Sequence, residues 1–357
     1  MSKNDRIFKF ENKPAIFSCG TVAGKKEWEG ALGGVFDCHS EDDTFGMPTW
    51  EQSESEMQRL ALNHALAKLS WDSTELGLMF AGDLINQCTS SGYGLIDFDV
   101  PFLGLFGACS TLAEGLILAA FIVNAGYVNA AAAVTSSHNC SAERQFRFPI
   151  EYGGQRTPTS QWTVTGAGAF IVGRRSLLDV DEKLISAKSA PPNQPSPLFT
   201  HIRIAEAMPG RTIECGITDA NNMGAAMAPA AADTLLRYFK VSGTKPDDYD
   251  LIVTGDLAFE GHRLTSELLA QKGIHLGSNF NDCGLIIYDR ERQDMHAGGS
   301  GCGCSALVVA AEILPKIDRG ELKNVLFIGT GALMSPMSVQ QGLPIPAIGH
   351  LVRLIHD

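Results

Sequence analysis

"FGACSTLAEGLILAA" (106–120) is answered late in the chain by "GCGCSALVVAAEIL" (301–314). Both pass from small residues through Cys-Ser into an apolar helical run. Both then lead through a polar turn into an apolar strand, "NAAAAVTSS" (129–137) and "NVLFIGTG" (324–331). Upstream, "LGLMFAGDL" (76–84) matches "DLIVTGDL" (250–257), each a β-type run ending in Gly-Asp-Leu. Ahead of these lie the helical stretches "SESEMQRLALNHALAKL" (53–69) and "AAMAPAAADTLLRYF" (225–239). Ser53, standing before acidic residues, is the expected N-cap of the first. Its apolar positions Met57, Leu60, Ala61, Leu62, Ala65, Leu66 and Leu69 come close to helical spacing. Two copies of strand, helix and strand in one order predict an internal duplication. Continuous apolar strands alternating with helices predict an α/β fold whose sheets are covered on both faces. "SAPPNQPSPLF" (189–199), with four prolines, reads as the connector and divides the chain into halves 1–195 and 196–357.

A chain of 357 residues that is 45% hydrophobic and 19% charged has the composition of a globular protein with a large core. Its net charge of −12 repels phosphate backbones, so no nucleic-acid partner is expected. The best basic cluster, Arg144, Arg147 and Arg156, is dispersed among aromatic and polar residues. The nine cysteines stand singly apart from Cys302 and Cys304, with no C-x-x-C and no zinc spacing. Reduced thiols, a cytoplasmic location and no resident metal are the expectation. The opening "MSKNDRIFKFENKP" (1–14) has no apolar core, so no signal peptide is expected. The longest apolar stretch, 115–123, falls short of the ~20 residues a membrane-spanning helix needs and reads as a buried helix.

Cys109 opens the first apolar helix. A helix start carries unpaired N–H groups and partial positive charge, which favour a thiolate and can face a developing oxyanion. That is the physics of an acyl-transfer nucleophile. A lone cysteine in apolar surroundings is also, more simply, a small buried hydrophobe.

The "GACST" stretch, the duplicated halves and "VTGAGAFIVG" (164–173) resemble the thiolase superfamily, near its ketoacyl-synthase III branch. Three longer stretches, "HSEDDTFGMPTWEQSESEMQ" (39–58), "SSHNCSAERQFRFPIEYGGQRTPTSQWTVTGAGA" (136–169) and "GTGALMSPMSVQQGLPIPAIGHLVRL" (329–354), resemble the stage V sporulation protein AD family of spore-forming bacteria. The likeness covers nearly the whole chain. It implies a five-layer αβαβα thiolase-like fold with two pseudo-symmetric halves, and a homodimer, since such folds commonly pair about a two-fold axis. It further implies binding of dipicolinic acid (pyridine-2,6-dicarboxylate), free or as its calcium chelate, for uptake into the developing spore. The implied partners are membrane proteins of the same sporulation transport complex, with peripheral attachment to the spore inner membrane through them. Calcium would then travel with the ligand, and no cofactor is expected.

A condensing enzyme of this branch needs Cys, His and Asn together, the last two donating to the thioester oxygen as charge collects there. Laid on "DLIVTGDLAFEGHRL" (250–264), the family's His falls at about Gly255, with Asp256 beside it. The Asn falls at Ser300 in "GGSGCGCSA" (298–306). His262 and His296 lie off the required spacing and read as structural or exposed. Losing one oxyanion donor typically slows an enzyme ~100- to 1,000-fold. No basic patch suits the phosphates of coenzyme A. The expectation is therefore a non-catalytic binder; the alternative is an active acyltransferase using Cys109 as nucleophile.

For a flat dicarboxylate, the expected site lies between two facing helix starts, Cys109-Ser110 and Cys304-Ser305. Ser300, Gly301 and the neighbouring glycines would let backbone approach the ligand. His138 and Arg144, with Arg147, Arg156, Gln161 and Trp162 in the same insertion, are the candidate polar and cationic walls. The bland readings are a strand-end cap for His138 and a surface hairpin carrying Arg144, Phe146 and Phe148. "GSNFNDCG" (277–284) reads as a turn before a strand "LIIYD" (285–289).

Overall fold

The computed structural model describes residues 6–146, 156–188 and 198–357. The expected boundary at residue 195, and Arg147 and Phe148, lie outside the described residues.

Ten strands carry the architecture. In the first half they are β1 (Ala15–Ala23), β2 (Leu78–Gly82), β3 (Phe102–Gly104), β4 (Ala130–Ser137) and β5 (Gly166–Gly173). In the second they are β6 (Ile202–Met208), β7 (Leu251–Thr254), β8 (Phe280–Asp282), β9 (Asn324–Ala332) and β10 (Ala347–His356). From the middle outward the first half runs β1-β5-β4-β2-β3 and the second β6-β10-β9-β7-β8. Each half pairs its first, fifth and fourth strands antiparallel and its fourth, second and third parallel. Order and direction therefore repeat strand for strand, which is the duplication read from the sequence. The halves meet where β1 touches β6 antiparallel, Ala15 opposite Arg203.

Helices form the remaining layers. α1 (Trp50–Ala67) covers β1 and β5 from outside, and α2 (Thr111–Asn124) lies between the halves, touching β4 and β9. α3 (Asn139–Phe146) follows β4. α4 (Met223–Ser242) covers β9 and β10 from outside, and α5 (Cys302–Val308) lies in the central layer against β4 and β5. The layers are helix, sheet, helix, sheet, helix. The central core joins Leu112, Leu116 and Leu307 to Phe170 and Phe327, all buried. Outer cores form under α1 (Met57, Leu62, Ile171) and α4 (Leu235, Tyr238, Leu326). Gly20 of β1 is required by α1: a Cβ there would lie 2.0 Å from the Ala61 carbonyl oxygen.

Several local expectations are corrected. α1 begins at Trp50, capped by Thr49, whose Oγ1 accepts from the Gln52 N–H at 3.2 Å. Ser53 is instead buried inside the first turn and donates to the Asp43 carbonyl at 3.1 Å. α4 begins at Met223 behind Asn222, whose side chain accepts from Ala225 N–H, and ends at Gly243 with φ +73°. The turn and strand expected over 277–289 are reversed. Phe280–Asp282 is the strand, and Cys283–Ile286 forms a helical turn capped by Asp282, which accepts from Gly284 N–H at 2.9 Å. The cause is the buried Asp282 carboxylate, which also accepts from Leu257 N–H and Ala258 N–H, both at 2.8 Å, and so ties β8 to the turn after β7. Arg144 and Phe146 lie on a helix rather than on a hairpin. Among the described residues, no helix is long and apolar enough to cross a membrane.

Candidate functional site

The edge strand β3 leads into a tight turn, Ala108–Ser110, that enters α2. Ala108 sits at φ +51° and Ser110 Oγ donates to the Gly107 carbonyl at 2.6 Å, so Cys109 is held at the mouth of the central layer. It lines a cavity of about 150 Å³. Phe106, Leu84, Ala142, Phe146, Met223 and Met334 supply apolar walls, while Glu143, Thr163, Ser300 and Ser335 supply polar atoms. The walls thus come from the β3 turn, the turn after β2, α3, the start of α4 and the turn after β9.

Behind the floor of this cavity lies Asp256, fully buried. Its carboxyl lies within electrostatic reach of the Cys109 thiol. It accepts from Gly301 N–H at 3.0 Å and from the Thr330 hydroxyl at 2.8 Å, and its own N–H donates to Thr330 Oγ1 at 3.1 Å. Gln161 donates to the Asp256 carbonyl at 2.6 Å and to the Gly299 carbonyl at 3.1 Å, locking the turn after β7 to the glycine strand. That strand, Gly298–Ser300, pairs in parallel with Gln161–Thr163 and delivers Ser300 to the cavity. Gly301 follows at φ +98°, where a Cβ would stand 2.6 Å from Ser137 Oγ.

These contacts set the chemistry. Burial, then the Asp256 carboxylate, pushes the Cys109 thiol well above its ordinary range; the Gly301 N–H opposes this and does not prevail. The helix-start effect anticipated from sequence is thus outweighed. Burial pushes Asp256 up to about 7 against the pull of Cys109, Gly301 and Thr330. The α5 N-terminus is already engaged internally: Gly301 N–H binds Asp256, and Gly303 N–H donates to Ser137 Oγ at 3.0 Å. A carboxyl of the chain itself thus takes the Gly301 N–H that would otherwise be open to an anion.

The sequence candidates divide. Cys109, Ser300 and Gly301 come together at the floor. Ser110 lies just behind, buried in the turn. Cys304 lies inside α5, fully buried, with its sulfur toward Gly299 rather than the cavity; Cys302, at the start of α5, is the cysteine that packs with Cys109. Cys304, the residue the repeat aligns with Cys109, is thus not the cysteine that packs against it. His138 is buried, its Nε2 bonded to the Asp43 carbonyl at 2.6 Å and its Nδ1 accepting from Cys140 N–H at 3.2 Å. Burial lowers its pKa, so it is a neutral cap at the start of α3. Arg144 pairs with Glu51 and lies over the Trp50 ring at 5.3 Å. Arg156 pairs with Asp294 at 2.7 Å and lies over Trp162 at 5.2 Å. His296 is bonded to the Thr157 carbonyl at 2.7 Å, and His262 stacks on Phe280 with ring centroids 4.2 Å apart. Among the described lining residues there is no imidazole and no carboxamide. Sequence reasoning missed Thr330 and the Phe146 and Met334 walls; the signal for Thr330 was the "GTG" that ends β9.

A second buried acidic cluster lies nearby. Glu54 of α1 accepts from Ser136 at 2.8 Å and from Ser141 at 3.1 Å; Asp83 accepts from the Ser91 hydroxyl at 2.7 Å. Gln58 bridges them, donating to Ser91 at 2.9 Å and Ser136 at 2.7 Å. Burial, then Asp83, pushes Glu54 up to about 8, and burial raises Asp83. Among the described residues, no group of three or more His, Cys, Asp or Glu is arranged to hold a metal ion.

This geometry has relatives. A family-wide sequence profile described as Stage V sporulation protein AD (SpoVAD) matches residues 4–355. The chain belongs to that family. It is 41% identical over 341 residues to the stage V sporulation protein AD of Bacillus subtilis (strain 168), covering 96% of this chain and 94% of that one. Solved structures share the fold at low identity. Cerulenin-bound OleA of Xanthomonas campestris matches with TM-score 0.56 at 14% identity, over 99% of each chain. The 3-oxoacyl-[acyl-carrier-protein] synthase III of Aquifex aeolicus gives 0.52 at 13%, over 96% of this chain and 100% of that one. The peroxisomal 3-ketoacyl-CoA thiolase of Saccharomyces cerevisiae gives 0.55 at 12%, over 97% and 98%. It is described as a five-layered α-β-α-β-α structure built from two core domains of identical topology, which is the arrangement seen here.

Proposed function

We propose that this sporulation-family protein is a non-catalytic binder of dipicolinate, free or as its calcium chelate, serving uptake into the developing spore. The observation that carries the non-catalytic part is the buried Asp256 carboxyl on the Gly301 N–H beside Cys109, in a cavity whose described lining holds no imidazole or carboxamide. A carboxyl beside the sulfur opposes the negative charge that acyl transfer must build there. The dipicolinate part rests on family membership and on size and shape. A cavity of about 150 Å³ is on the scale that admits one six-membered ring. Its apolar walls suit the faces of a ring, and the Ser300 hydroxyl offers a donor to a carboxylate.

The proposal includes attachment to the spore inner membrane through membrane-protein partners, and a homodimer. For the dimer, β3 is an open sheet edge carrying exposed Phe102 and Leu103. Light scattering of wild type and Leu103→Glu tests it: a dimer that the variant dissociates supports that edge, and a wild-type monomer refutes the pairing.

The deciding experiment has two arms. Calorimetry with dipicolinate, with and without calcium, is expected to show saturable binding. Incubation with acyl-coenzyme A donors is expected to leave the intact mass unchanged. A stable acyl group on Cys109 with turnover would replace this reading by the acyltransferase one.

A further inference from the structure

We infer that a dianionic ligand seated on the Cys109–Ser300 floor is taken up together with one proton, which Asp256 holds. The inference rests on the dipicolinate reading above and adds how that site responds to pH.

The geometry behind it is a buried carboxyl whose partners are all neutral. Gly301 N–H and the Thr330 hydroxyl donate to the Asp256 carboxyl, and among the described residues none of its hydrogen-bond partners is a cation. The titratable groups around it are acids or thiols from every side. Cys109 faces it from the turn before α2, Cys304 from α5, and Asp282 and Cys283 from the end of β8. Cys302 packs beside Cys109, and Glu143 of α3 stands on the cavity wall. His262 lies within electrostatic range of Asp282, beyond Asp256.

A ligand carboxylate above Cys109 and Ser300 therefore brings negative charge toward a buried acid with no counter-ion. A like charge brought beside a buried carboxyl favours its protonated form. A pyridine dicarboxylate is the stronger acid, so the proton goes to Asp256, which burial already holds near neutrality. The balance is simple: one proton leaves solvent buffer, one O–H bond forms on Asp256, and no other bond changes.

The direction follows. Below neutrality Asp256 is already protonated and binding costs nothing extra. Above it, each ligand must bring a proton, so affinity falls roughly tenfold between pH 6 and pH 8. Asp256→Asn keeps the shape without the charge and should change by less than about twofold over that range. The experiment titrates dipicolinate calorimetrically at pH 6 and pH 8. At pH 8 it is repeated in two buffers of different ionisation heat, which counts protons on the wild type without any variant. Uptake of close to one proton at pH 8, absent in a folded Asp256→Asn, is the expected result. Binding without proton uptake overturns this inference and leaves the dipicolinate reading standing. Proton uptake that persists in Asp256→Asn overturns the assignment to Asp256. No binding heat at either pH overturns the dipicolinate reading and this inference with it.

Discussion

The Asp256 carboxyl raises the Cys109 thiol electrostatically, and the same carboxyl takes the N–H of Gly301 at the start of α5 at 3.0 Å. A sulfur placed like a nucleophile is thus paired with an acid rather than a base. Burial comes first and Asp256 second in holding this thiol protonated. Asp256→Asn removes the second cause and leaves the first. Alkylation of Cys109 by iodoacetamide is expected to be slow in the wild type and about tenfold faster in Asp256→Asn, read by peptide mass mapping. Equal rates in the two folded proteins would mean that Asp256 does not silence the sulfur.

Buried acids also set the pH dependence of stability. Glu54 is raised to about 8 in the folded chain, and Asp256 and Glu27 to about 7, each chiefly by burial. A carboxyl raised above its unfolded value binds a proton on folding. Its stabilising share is complete below the unfolded pKa and is lost as pH climbs to the folded one. For Glu54 that window runs from about 4.5 to about 8. The denaturation midpoint should therefore fall steadily from pH 5.5 to pH 8. Glu54→Gln should flatten the slope by up to about 1.4 kcal/mol per pH unit. Urea melts at three pH values measure it; an unchanged slope would mean that Glu54 does not carry this pH dependence.

The duplication was legible because each half writes the same strands and helices in the same order, and tertiary packing preserved that order. Asp256 was legible as the neighbour of the position where the family's His falls. The half-turn offset between Cys302 and Cys304 was not, because a repeat in sequence fixes order and leaves helix phase open. Phase also explains Arg144. On α3, Ala142, Glu143 and Phe146 turn toward the cavity and Ser141 turns toward Glu54, which leaves Arg144 against Glu51 and Trp50. His138 read as a wall because it follows a strand end, yet its ring was claimed by Asp43, far away in sequence. Walls such as Phe146 and Met334 arise where separate elements meet, and no local pattern announces them.

Gly301 is where backbone and site depend on each other. At φ +98°, with Ser137 Oγ 2.6 Å from any Cβ, alanine must either strain the chain or displace Ser137. Ser137 Oγ meanwhile accepts from Gly303 N–H and donates to the Val164 carbonyl at 2.7 Å. Gly301→Ala is expected to cost about 2–3 kcal/mol in urea unfolding and to weaken ligand binding at the same time. A loss under about 1 kcal/mol would show that the loop relaxes freely.

His138 and Arg144 separate structure from ligand contact. Both were expected to face a dicarboxylate, and both are engaged elsewhere. His138→Ala removes two buried hydrogen bonds at the start of α3, so it should cost about 2–4 kcal/mol of stability. Arg144→Ala breaks a partly exposed ion pair with Glu51 and should cost about 1 kcal/mol or less. Since the Arg144 guanidinium pairs away from the cavity lining, dipicolinate affinity in Arg144→Ala should stay within about twofold of wild type. Paired urea melts and calorimetric titrations read both quantities. A tenfold loss of affinity in a fully stable Arg144→Ala would mean that the side chain leaves Glu51 to meet the ligand, and that the cavity acquires its cation only on binding.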